Sequence, residues 1–317
     1  MSLNPFSADS EIRLRQERLA QSIGIPLRGE ILSLLSASAR RPGGNDGAVL
    51  PKQQADALIA RYALAGVEEL MLLALQPARD FARPPISSFF VGSVGLERET
   101  GNLVFGGNME FPRTQLGFTI HGEGFVFTRA ASRGTTISHI AISEAHPCAH
   151  CRQYLSEFAA TRDLLLIDPL GHRLTMAQLY PWPFDPDYLG EPGYSPGTLN
   201  EVSLAANALP PDTAAALLEA ARRAHAPYSK CPGAIVLTLR DGSHVAGFAI
   251  ESVAFNPTMG PLQAALINLS ANGYEARDIA AAALATRLDG GVDYTFSTAE
   301  LLDRVAPGIT LTTIGLT

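Results

Sequence analysis

One stretch of this chain is written twice, and a duplicated pattern restricts the fold more than composition does, because each copy must build the same supersecondary unit. Residues 82–87 read ARPPIS and residues 224–229 read AHAPYS. Each follows an Ala/Leu-rich segment of helical character and leads into a β-type run, at 89–94 and 234–239. Each run then meets a polar turn (Glu99, Thr100, Gly101, Asn102; Asp241, Gly242, Ser243) and a second strand. Beyond these hairpins Glu110 and Glu251 correspond at a shift of 141 residues, and the same shift sets His121 against Leu262 and Glu123 against Ala264. The two halves are therefore expected to share a scaffold, with polar groups at these later positions only in the first.

The first half continues with a helix expected from about residue 122, a strand at 137–143, a helix beginning at Cys148 and an apolar strand at 164–167. Strands alternating with helices after a hairpin indicate an α/β layer structure with a mixed sheet. A stretch rich in Pro, Gly and Tyr at 180–200 reads as a surface linker. The expected division is a helical region at 1–66 interrupted by a turn cluster at 41–48, a first core domain at 67–169, a linker at 170–208 and a second core domain at 209–317. With 46% hydrophobic and 17% charged residues, 317 residues are enough to bury such cores, which excludes disordered and fibrous classes. A net charge of −7 argues against a nucleic-acid surface, and no apolar run reaches a membrane span. The N-terminus lacks the pattern of a secretion signal, and three cysteines are too few for a disulfide framework, so reduced thiols in a cytoplasm are expected.

Two of those cysteines sit in the phrase Pro147, Cys148, Ala149, His150, Cys151, and the triplet His121, Gly122, Glu123 precedes it. Cys-x-x-Cys alone fits a redox pair or half of a structural zinc site, and His-x-Glu alone is common. Together they follow the pattern of zinc deaminases acting on nucleobases. Proline favours a helix start, so both sulfurs are expected at a helix N-terminus one turn apart, where the backbone N–H groups stabilise thiolates. With His121 as third ligand, a tetrahedral ion keeps its fourth position for water, and Glu123 is placed to take a proton from it. A structural site would need His146 or His150 as a fourth ligand; capping or surface roles are expected for both. Cys231 reads as a small buried residue, and His139, His172, His225 and His244 as ordinary strand, loop or surface histidines.

On these phrases, with residues 105–111 (FGGNMEF), 226–230 (APYSK) and 254–263 (AFNPTMGPLQ), the chain resembles the cytidine deaminase family, in its long homodimeric bacterial form. The likeness runs from about residue 70 to the C-terminus. It implies a three-layer α/β/α fold, duplicated as a catalytic domain and a degenerate copy without zinc ligands. It further implies one Zn²⁺ per chain on His121, Cys148 and Cys151, and hydrolytic deamination of cytidine and 2′-deoxycytidine in pyrimidine salvage. Glu123 is the implied catalytic residue. Asn108 and Glu110 resemble the ribose-binding pair, Phe89 the aromatic neighbour of the pyrimidine, and Gly122 a backbone acceptor for the departing amino group. Phe184 and Phe255 resemble aromatic residues supplied by the partner subunit. The chain departs from the family at Gly122 and Gly124, where alanine and glutamine are usual, and at Ala145 and His146, where a Tyr-Thr pair is usual. These departures leave open a deaminase of another aminated heterocycle, or a nucleoside-binding homologue with weakened turnover.

Overall fold

A computed structural model describes residues 8–40, 45–143 and 146–317. In chain order the helices are α1 (Ser10–Ser38), α2 (Lys52–Arg61), α3 (Val67–Leu73), α4 (Leu75–Ala78), α5 (Gly122–Arg133), α6 (Ala149–Ser156), α7 (Met176–Leu179), α8 (Pro211–Arg223), α9 (Pro261–Ala271) and α10 (Thr295–Val305). The strands are β1 (Val49–Leu50), β2 (Gly92–Glu97), β3 (Leu103–Gly107), β4 (Ile137–Ile142), β5 (Leu165–Ile167), β6 (Arg173–Thr175), β7 (Ala234–Leu239), β8 (His244–Phe248), β9 (Ile279–Thr286) and β10 (Leu311–Gly315). They form two mixed sheets, in the orders β1-β3-β2-β4-β5-β6 and β10-β9-β7-β8.

The repetition read from the sequence is a repetition of topology. In each half an antiparallel hairpin (β2/β3, β7/β8) pairs with an antiparallel third strand (β4, β9), and a helical crossover returns to a parallel fourth (β5, β10). Both first strands slip register near the hairpin's far end, at Leu96/Glu97 and at Thr238/Leu239. Neighbouring residues on a strand face opposite sides, so two adjacent glycines report what covers each face. A Cβ at Gly106 would meet the Phe125 ring of α5, and one at Gly107 would meet the backbone of Phe81 and Ala82, just after α4. The first sheet is thus a middle layer between helices. The second is packed by α9 and α8. The halves meet where α5 packs on α9, and there the fully buried Arg129 donates to Asn268, Asn45 and the Gly47 carbonyl. Its burial pulls the guanidinium down to about 9.

Several expectations need correction. The first β run begins at Gly92 and not at Phe89, because the Asn108 side chain holds the 89–91 backbone in place of a strand partner. The first sheet takes β1 from the N-terminal region and β6 from the segment read as linker, so it extends past 67–169 on both sides. Both elements are too short to carry a hydrophobic period. The turn cluster at 41–48 lies partly outside the described residues. The 180–200 stretch is anchored as well as exposed: Tyr194 is buried against Phe158, and Gln153 bonds both backbone groups of Phe184.

The pairing of the halves also shifts. Met109 pairs with Ile120 in one half and Ile250 with Met259 in the other, so the intervening loop is two residues shorter in the second. The following helices are capped by His121 and Gly260. His121 therefore lies opposite Gly260 and Glu123 opposite Leu262; the constant shift of 141 fails beyond the hairpin because it allows for no deletion.

Candidate functional site

Two helix N-termini bring the candidate ligands together. His121 is the N-cap of α5 and Cys148 the N-cap of α6, both in extended backbone, with Pro147 one residue before the cap and not in the first turn as expected. Cys151 lies one turn into α6 and is buried. The Nδ1 of His121 is 3.2 Å from the Cys151 sulfur and 3.5 Å from that of Cys148. All three donor atoms fall within 4.8 Å of one another. Around a tetrahedral zinc with Zn–S near 2.3 Å and Zn–N near 2.0–2.1 Å, nitrogen and sulfur ligands lie about 3.5 Å apart. The donor set and its spacing therefore fit zinc, and no fourth side-chain donor joins this group among the described residues.

The electrostatics favour a thiolate at Cys148 and oppose one at Cys151. Hydrogen bonding from Cys151, and then from His121, pulls the Cys148 thiol down to about 3, while Cys151 is pushed up, first by its bond to Cys148 and then by burial. Glu123, in the first turn of α5 and 5% exposed, is raised mainly by burial. A carboxyl with a raised pKa beside a metal centre is suited to carry protons both ways.

These groups open onto a pocket of about 410 Å³ whose lining includes Phe89, Asn108, Glu110, His121, Gly122 and Glu123. The Asn108 side chain is nearly buried, donating to the Phe89 carbonyl at 2.8 Å and accepting from the Val91 N–H at 2.9 Å. Glu110 accepts from the N–H groups of Ile86 and Ser87 at 2.8 and 2.9 Å and from the Ser87 hydroxyl. Burial alone would raise its pKa, but these bonds outweigh that and hold it low. Both residues thus shape the loop that carries Phe89, which is 55% exposed at the pocket. Phe184 and Phe255 do not line it. Phe184 stacks on Tyr188, and Phe255 is exposed at a positive φ of 62° beside Tyr228.

The departures at 122 and 124 have different physical standing. A Cβ at Gly122 would come within 2.3 Å of the Ser93 hydroxyl, which is buried without a hydrogen-bond partner among the described residues. Glycine at 122 is the counterpart of a hydroxyl on the strand above it. A Cβ at Gly124 would make only an ordinary contact, at 3.4 Å from the Met259 methyl. Ala145 lies outside the described residues. His146, expected at a cap or the surface, instead lines the pocket wall. His225, expected to be ordinary, is largely buried and bonded to Glu157 at 2.6 Å. Sequence reasoning missed Ser93, for which the only signal was a glycine where a helix former belongs.

Two models described as "Cytidine and deoxycytidylate deaminase zinc-binding region" match residues 66–166 and 195–299. A cytidine deaminase of Photobacterium profundum is 34% identical over 281 residues, covering 87% of this chain and 93% of that protein. One from Aliivibrio fischeri is 37% identical over 268 residues, 83% and 87% of the two chains, and cytidine deaminase 1 of Arabidopsis thaliana is 31% identical, covering 82% and 94%. The crystal structure of cytidine deaminase from Mycobacterium tuberculosis is 27% identical, with a TM-score of 0.33, and covers 37% of this chain and 96% of its own. Zinc is the cofactor named in the description of both models, and among the described residues the His/Cys/Cys group that would hold it lies in the first matched region.

Proposed function

The chain belongs to the cytidine deaminase family, and from that premise we propose that its first half deaminates cytidine and 2′-deoxycytidine hydrolytically, using His121, Cys148 and Cys151 to hold zinc and Glu123 to move protons. The observation that carries the reading is the convergence of an imidazole and two sulfurs beside a buried carboxyl at the floor of a pocket. Bound there, zinc supplies an activated water for attack on C4 of the pyrimidine.

Everything else falls to the chain. Glu123 accepts one proton of the water and delivers it to N3, then takes the proton of the C4 hydroxyl and passes it to the amino group, so that the C4–N bond breaks, ammonia leaves and a uracil ring with a C4 carbonyl remains. The Gly122 carbonyl accepts a hydrogen bond from that departing group. Phe89 covers one face of the ring. Asn108 has a second amide hydrogen, and Glu110 has lone pairs beyond those used in the loop; together they bind a sugar hydroxyl, and the carboxylate repels a phosphate there. Free nucleoside is thereby favoured over nucleic acid, in line with the net charge of −7.

The second half, with Gly260 and Leu262 opposite His121 and Glu123, is read as a degenerate copy that supports the first. Phe184 and Phe255, exposed and away from their own pocket, are assigned to the pocket of a second copy in a homodimer. No described helix is long and apolar enough to cross a membrane; a cytoplasmic role in pyrimidine salvage accords with the free thiols. A second reading, deamination of another aminated heterocycle, is favoured by the His146 imidazole in the pocket wall. Rates of ammonia release from cytidine, deoxycytidine, cytosine and modified cytosines, with and without a chelator, separate the two. The main reading expects the nucleosides to be fastest and chelation to abolish turnover; binding of cytidine without ammonia release would sink both.

A further inference from the structure

Behind the pocket wall a second set of ligand-type side chains converges. Asp168, only 2% exposed, follows β5, and the chain turns back at Gly171 to bring His172 over it. One carboxylate oxygen of Asp168 accepts from the N–H groups of Leu170 and His172, at 2.9 and 3.1 Å. The other faces two imidazoles, with His172 Nδ1 at 2.8 Å and His146 Nδ1 at 3.6 Å. The two rings lie 4.8 Å apart at 72°. His146 Nδ1 is shielded from solvent and has no hydrogen-bond partner among the described residues, and Asp168 has no lysine or arginine partner among them.

His146 Nδ1 is the under-satisfied atom of the three residues: it is shielded, has no partner among the described residues, and faces the Asp168 oxygen that already bonds His172 Nδ1. A divalent ion held by all three would give the His146 nitrogen a partner and take the place of the His172–Asp168 hydrogen bond. All three donor atoms lie within 4.8 Å of one another. Nitrogen and oxygen ligands at about 2.0–2.1 Å from a tetrahedral ion are about 3.3 Å apart, and the observed 2.8 and 3.6 Å bracket that separation. Two imidazoles and one carboxylate suit zinc, cobalt or nickel and not calcium or magnesium.

We propose that His146, Asp168 and His172 bind a divalent transition-metal ion, separate from the thiolate site, with solvent completing its coordination. The ion's place gives it a role, since His146 lines the catalytic pocket and leads through Pro147 into the ligand Cys148. Binding would pin the pocket wall and the start of α6 to the end of β5.

The test does not depend on deaminase activity. Full-length protein carrying one zinc per chain is titrated with Co²⁺, and visible absorption and metal content are read. The expected result is a second equivalent with the weak bands of nitrogen and oxygen ligation and without thiolate charge-transfer absorption. Asp168→Asn keeps the acceptor for the turn but removes the charge, and His172→Gln removes a ligand. Each should weaken the second equivalent by more than about 100-fold, beyond the 10–100-fold that loss of an outer-sphere partner costs, while retaining the first zinc. Saturation of the unaltered protein at one metal, a second equivalent with thiolate bands, or one unaffected by both substitutions would each overturn the proposal. Failure of the first zinc to bind would instead count against the thiolate site.

Discussion

Glu110 gathers the N–H groups of Ile86 and Ser87 and the Ser87 hydroxyl; Glu251 gathers those of Tyr228 and Ser229 and the Ser229 hydroxyl. The hydroxyls in turn accept from Phe89 N–H in one half and Cys231 N–H in the other. The same backbone device is thus kept in both halves, but the side chains it presents have diverged. Phe89 opens onto a pocket, whereas Cys231 is buried; His121 caps α5, whereas Gly260 caps α9; Glu123 lies beside His121 and Cys151, whereas Leu262 joins the core. Where Cys148 begins the first crossover helix, Tyr294 begins the second, and its ring lies so close to Gly233 that a Cβ there would be 2.4 Å away. Anchoring the scaffold and equipping it for chemistry are therefore separable, and a residue retained in both halves is more informative about folding than about the reaction.

The strongest way to break this comparison is to alter equivalent positions. Glu123→Gln should lower kcat by about 10²–10⁴-fold with zinc content unchanged, as expected for loss of a proton carrier. Its counterpart Leu262→Ala should cost about 2–5 kcal/mol of stability in denaturant melts while leaving kcat per folded chain intact. If both substitutions acted alike, the division of labour would be wrong.

Gly122 and Ser93 sharpen the contrast within the first half. Gly122→Ala should destabilise by about 1–3 kcal/mol through overpacking, and Ser93→Ala in the same chain should restore most of it by removing the hydroxyl. A strictly additive pair would refute the contact.

At the register slip the halves differ again, since Glu97 is buried with Arg133, Thr135 and Thr100 where the second half has Leu239. Burial pushes the Glu97 carboxyl up, but its hydrogen bonds and ion pair outweigh that and leave its pKa lowered. Its contribution is present above the unfolded value of about 4.3 and is lost as pH falls through the folded value. Stability measured from pH 5 downwards should therefore fall less steeply in Glu97→Gln than in the unaltered chain. The smallest effect is expected at Gly124, where nothing opposes a methyl group: Gly124→Ala should stabilise by up to about 1 kcal/mol.

Much of this is legible in the sequence. The hairpins, the first crossover helix and the Cys148/Cys151 pair follow from turn residues and spacing that act locally. What escaped depended on contacts between distant segments. β1 and β6 are strands only because an edge was free beside them, the two-residue deletion lies in a loop without periodic signal, and Ser93 acts through Gly122, which follows it by 29 positions. His146 read as a cap or surface residue and His172 as an ordinary histidine because their common partner, Asp168, is buried and carries no motif.

The proposed division of labour requires one half of the chain to grip a catalytic ion with two sulfurs and an imidazole. Zinc K-edge X-ray absorption of the most tightly held ion tests it directly. Two sulfur neighbours at about 2.3 Å and an imidazole nitrogen at about 2.0–2.1 Å, lost together in Cys151→Ala, are predicted; a shell of nitrogen and oxygen alone would contradict it.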